Sequence, residues 1–173
     1  MFQGNSFTYY NDLPSMVSQL AVAGGQQYEY DSHLEGGWSW EDHVASDLTM
    51  DKIRSQVWDV VILQEYSTRP AYDEEVVCEQ TVPPLDTLIS AIQDNNPDTK
   101  IQFYLTWGWP HGAPDLCNMN MTQFCSYESM QVNLILVSLH WSLNATIMYI
   151  GCSNPWLHEL CLHEQTLQCC SCR

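Results

Sequence analysis

The chain is short of positive charge. Five Lys and Arg stand against 21 Asp and Glu among 173 residues, a formal net charge of −16. A surface of that sign repels phosphate backbones and anionic membrane faces, so nucleic acid is excluded as a partner. No uninterrupted apolar run approaches the roughly 18 residues of a membrane-spanning helix, and no membrane insertion is expected. Met1-Phe2-Gln3 leads directly into a polar turn, without the basic and apolar stretches of a secretory leader. The chain also contains no internal repeat and no low-complexity linker.

What is present reads as a globular protein. The length and a hydrophobic content of 45% suit a domain with a proper core. Seven Trp and nine Tyr are many for this size; such side chains line sugar-binding sites as well as cores. Eight Cys and two glycosylation sequons, Asn120-Met121-Thr122 and Asn144-Ala145-Thr146, suit an oxidising, extracellular setting for the full-length parent. Cys117 and Cys125 lie close enough in sequence for a local disulfide, the alternative being two free thiols.

Hydrophobic periodicity alternates between the two regular structures. Leu13, Met16, Val17, Leu20 and Ala21 fall at helical spacing, stopped by Gly24-Gly25. Gln27 to Leu34 alternates as a strand and runs into Glu35-Gly36-Gly37-Trp38-Ser39. Trp40 to Ile53 predicts a surface helix, and Trp58 to Leu63 a strand buried on both faces. The polar cluster Gln64 to Pro70 follows, then an acidic connection over 71–82. Leu85, Leu88, Ile89 and Ile92 predict another helix, Lys100 to Leu105 another strand, and Ala145 to Ile150 a last one. Strands and helices alternating through short connections predict βαβ units on a parallel sheet. In such sheets ligands bind just beyond the carboxyl ends of strands.

The stretch Gln3 to Pro14 sets the organisation. Ser6 lies in a small-residue turn between a strand end and a helix start. It suits a nucleophile, because free backbone N–H groups there favour developing negative charge. The plainer reading is a turn with Ser6 or Thr8 as helix cap.

Gly4-Asn5-Ser6, the Gly36-Gly37 turn and the buried strand ending at Gln64 resemble, over residues 3–130, the SGNH (GDSL-like) hydrolases. The resemblance implies a flavodoxin-like three-layer α/β/α sandwich with a parallel sheet, hosting a serine ester hydrolase. The implied substrate is a small-molecule or glycan ester, often acetyl or acyl, and no cofactor or metal is implied. Position by position, Ser6 would be the nucleophile, and Gly37 (or Gly36) would offer its N–H to the oxyanion. Gln64 stands where the family has an asparagine, as third donor, and Asn5 where many members have aspartate. Trp38, Trp107 and Trp109 follow strand ends and would shape a sugar-binding rim, packing being the alternative.

The chain departs from the family at the base. No Asp-x-x-His block occurs in it, and a serine hydroxyl is a poor nucleophile without a base. His43, His111, His158 and His163 are the candidates for a base or pocket residue. A non-catalytic ligand-binding module or an inactive fragment of the same fold is the alternative.

The expected division is an SGNH-like domain over 1–130 and a divergent Cys/His-rich segment over 131–173, the alternative being that this segment completes the same domain. Five Cys fall in 151–173. His158 and His163 are spaced i,i+5 and only one Cys-x-x-Cys pair exists, a poor fit to zinc. The change of composition from about Val132 points to a shifted reading frame or alternative exon.

Overall fold

The structure, a computed structural model, describes residues 1–141 and 146–148, with side chains through Leu134. The elements run β1 (Phe2–Gly4), α1 (Ser6–Tyr9), α2 (Leu13–Ala23), β2 (Ser32–Leu34), α3 (Trp40–Val44), α4 (Asp47–Arg54) and β3 (Val60–Leu63). They continue α5 (Glu74–Gln80), α6 (Val82–Asn95), β4 (Lys100–Tyr104), α7 (Pro114–Cys117), α8 (Tyr127–Trp141) and β5 (Thr146–Met148). Among the described residues five strands pair in the order β2-β1-β3-β4-β5, every pair parallel. The chain steps outward from β1 to β2, then returns to the other side of β1 with β3. The carboxyl ends of β1 and β3 therefore flank the point where the strand order reverses, the place where open α/β sheets bind ligands.

Because side chains alternate across a strand, each strand feeds both faces of the sheet. On one face Val61, Leu63, Ile101 and Phe103 pack with Trp40, Ile53, Leu85, Leu88 and Ile92, from α3, α4 and α6. On the other, Phe2, Ile62 and Tyr104 pack with Leu13 and Val17 of α2. This makes three layers, and each fully buried Leu or Ile contributes about 1.5–3 kcal/mol relative to exposure. A third cluster, Ala71, Ala113, Phe124, Met130 and Leu134, seats α8 beside the sheet.

Several elements differ from the sequence pattern. Only Ser32–Leu34 of the run 27–34 is strand, because that is the part lying opposite Phe2–Gly4 in the ladder. The helix expected over Trp40 to Ile53 is two helices, each with its own serine cap: Ser39 accepts from the Asp42 N–H and Ser46 from the Thr49 N–H. The segment lies at the surface with one face turned inward: Trp40, His43, Thr49 and Ile53 are buried, while Glu41, Asp42, Asp47, Leu48 and Asp51 are exposed. The acidic connection contains α5, which buries Val77 and starts with Glu74 and Glu75, where helices favour acidic side chains. Cys117 and Cys125 form the disulfide, with Cα atoms 4.8 Å apart. One helix, α8, runs through residue 131. The tail cysteines, His158, His163 and the Asn144 sequon lie outside the described residues.

Candidate active site

The site grows from the end of β1. Asn5 caps α1: its Oδ1 accepts the Phe7 N–H at 3.2 Å, while its Nδ2 donates to the Trp38 carbonyl at 2.8 Å. One buried side chain thus shapes the turn carrying Ser6 and fastens it to the loop carrying Gly37. Ser6 is the first residue of α1 and half-buried. The first N–H groups of a helix have no intrahelical acceptor, and the Ser6 N–H makes no hydrogen bond within the described residues. The same holds for the Gly37 N–H. Gly37 has φ +78°, and a Cβ there would meet nothing within 4 Å, so its backbone lies open to a ligand.

Gln64 lies beneath this turn, fully buried. Its Oε1 accepts the Asn5 N–H and the Thr8 hydroxyl, both at 2.8 Å, and its Nε2 donates to the Glu65 carbonyl. Gly4 permits the close approach: a Cβ at that position would sit 2.6 Å from Gln64 Oε1 and 2.8 Å from Thr8 Oγ1. In this conformation the Gln64 amide is spent inside the protein.

His43 is also fully buried beneath the turn. Its Nε2 lies 3.0 Å from the Gly4 carbonyl oxygen and its Nδ1 3.1 Å from Thr49 Oγ1. A carbonyl only accepts, so Nε2 carries the proton and Nδ1 accepts the Thr49 hydroxyl. Thr49 Oγ1 in turn accepts from His33 Nδ1 at 2.6 Å. Burial lowers the His43 pKa to about 4, and burial likewise lowers that of His33. With both nitrogens occupied and the ring neutral, His43 holds the Gly4 carbonyl rather than facing the Ser6 hydroxyl.

The remaining candidates separate. Trp38 is half-buried, its ring edge-on to His33 at 5.4 Å and to His43 at 5.0 Å, a packing position. Trp107 lies against Phe7, the residue after Ser6, with ring centroids 4.9 Å apart, and stays 41% exposed. Trp109 and His111 are exposed in the loop that follows β4. Among the described residues no histidine is hydrogen-bonded to Ser6. Three residues the sequence reading passed over complete the arrangement: His33, Thr49 and Glu65. For two of them the signal was position, His33 on the covered face of β2 and Glu65 two residues past Leu63, the last residue of β3.

No protein-family model matches this sequence, and no curated protein matches it. Solved structures do. An SGNH-hydrolase candidate from Slackia heliotrinireducens superposes with a TM-score of 0.65 and 22% identity, over 86% of this chain and 75% of its own. A DUF4886 family protein from Bacteroides uniformis gives 0.58 and 15%, over 80% and 60%. A lipase candidate from Chitinophaga pinensis gives 0.50 and 14%, over 90% and 68%. The chain has an SGNH-hydrolase-like α/β/α fold.

Proposed function

We propose that the protein is a serine ester hydrolase of SGNH type, acting on an acyl or acetyl ester. One observation carries this reading: Asn5 ties the turn of a half-buried Ser6, after β1, to the loop of a left-handed Gly37, after the neighbouring β2, and the N–H groups of Ser6 and Gly37 make no hydrogen bond among the described residues. Ser6 Oγ adds to the ester carbonyl carbon as its proton passes to a base. The Ser6 and Gly37 N–H groups receive the resulting oxyanion. Collapse expels the alcohol, which takes up the proton, and water then releases the acid from the serine ester. Gln64, closed to solvent, serves by holding the turn from below. His43 is occupied, which leaves His111, His158 and His163 from the four candidates for the base. Phe7 and Trp107 form an aromatic wall beside Ser6, suited to the apolar face of a sugar or an aryl group. The net charge of −16 disfavours anionic substrates.

The test is hydrolysis of a short acetyl ester by the protein and by Ser6→Ala. Turnover that disappears in the variant supports the reading. Folded protein without turnover favours a second one, a binding module of the same fold, for which the absence of a histidine bonded to Ser6 among the described residues speaks.

A further inference from the structure

Glu65 follows Gln64 and is 3% exposed. A single carboxylate oxygen, Oε1, accepts two backbone donors: the Trp40 N–H at 3.0 Å and the Tyr66 N–H at 2.5 Å. Trp40 opens α3, three residues after Gly37, and Tyr66 lies in the loop that leaves β3. One side chain therefore ties the loop bearing Gly37 to the strand end bearing Gln64. The other oxygen, Oε2, is buried without a partner among the described residues, and Glu65 lines a small cavity with Trp40, Phe103, Tyr104 and Thr106. Burying a carboxyl this way is unfavourable, and neighbours relieve it little. Arg69 pairs with Glu41 at 3.1 Å, Asp42 accepts from Ser39 N–H and Oγ at 2.8 and 2.7 Å, and Tyr104 reaches the same cavity from β4.

We propose that Glu65 is a positioning residue for the ester-cleaving site, holding the Gly37 loop in register with the Ser6 turn through the Trp40 N–H. Asn5 makes the second tie, from the Ser6 turn to the Trp38 carbonyl, so the segment directly after Gly37 is held at Trp38 and at Trp40. The catalytic consequence rests on the hydrolase reading; the clamp is a property of the fold. Burial pushes the Glu65 carboxyl up to about 7, so the clamp changes from acid to carboxylate near neutrality. A hydrogen bond to the carboxylate is the shorter and stronger one.

Amide spectra recorded from about pH 5 to 9 test this. The Trp40 and Tyr66 amide protons of the unaltered protein should move downfield together with a midpoint near pH 7, and the Gly37 amide should follow. Glu65→Gln, close in shape, should abolish that titration and displace the Gly37 amide. It should also lower kcat on an acetyl ester about tenfold or more with KM little changed. Trp40 and Tyr66 amides without a common midpoint, or a Gly37 amide unmoved in Glu65→Gln, would overturn the proposal. Folded protein that hydrolyses nothing would defeat only the hydrolase reading, because the amide shifts judge the clamp without turnover.

Discussion

At the scale of single residues, the site depends on a few buried polar contacts that leave no room for error. Gly4 is the clearest case, since a methyl group there would press on both Gln64 Oε1 and Thr8 Oγ1. We expect Gly4→Ala to destabilise the protein by about 1–3 kcal/mol, read from a urea melt, through overpacking. An unchanged midpoint would show that Gln64 can move aside. Asn5→Ala removes the cap of α1 and the tie to Trp38 together, and it leaves the Trp38 carbonyl without its donor. Its expected cost is about 1–3 kcal/mol, and serine reactivity should fall with it. These contacts also show what a sequence can disclose. The turns carrying Ser6 and Gly37 were legible as small-residue turns after strands, whereas the roles given to the two residues come from the family resemblance. Glu65, His33 and Thr49 were not, because their partners lie on other elements, brought together only by the ladder β2-β1-β3. His43 was one of four candidates for a base or pocket residue, and its bond to the Gly4 carbonyl could be seen only in space.

At the scale of elements, helix α2 and strands β3 and β4 followed directly from hydrophobic period. The segment 40–53 did not, because a polar stretch with scattered apolar positions concealed two caps and a break at Ala45. Ser46→Ala tests that division: loss of the bond to the Thr49 N–H should cost about 1 kcal/mol. The effect should reach the site as well, because Thr49 on α4 joins the two histidines beneath Gly4. The loop over 117–125 is closed by its disulfide, which for so short a loop is worth about 2–3 kcal/mol in the chain-entropy account. A Cys117→Ser, Cys125→Ser variant should therefore melt earlier while keeping the sheet. Full stability in that variant would mean that Phe124 and the cluster around it hold the loop unaided.

At the scale of the whole molecule, two buried groups give the fold opposing responses to pH. The Glu65 pKa is raised from 4.5 to about 7 by burial. Its contribution to stability is thus full below about 4.5 and is lost as pH rises through 7. The His43 pKa is lowered from 6.5 to about 4 by burial, so its contribution is present above 6.5 and lost as pH falls through 4. Each swing is on the order of 3 kcal/mol. Between about pH 4.5 and 6.5 these two slopes oppose each other, and His33, whose pKa burial also lowers, adds to the His43 side, so urea stability should rise gently with pH. Glu65→Gln should remove the opposing slope, so that stability rises more steeply with pH across that window; a profile no steeper than that of the unaltered protein would contradict the assignment. The architecture that buries these groups, a parallel sheet with helices on both faces, was readable from alternating strands and helices and is the fold of the SGNH-hydrolase-like neighbours. Activity is a claim about Ser6, and the most direct measurement is labelling by a fluorophosphonate, read by peptide mass. The account predicts one adduct, on the peptide carrying Ser6, lost in Ser6→Ala. Folded protein that takes up no label, or carries it on another residue, would contradict it.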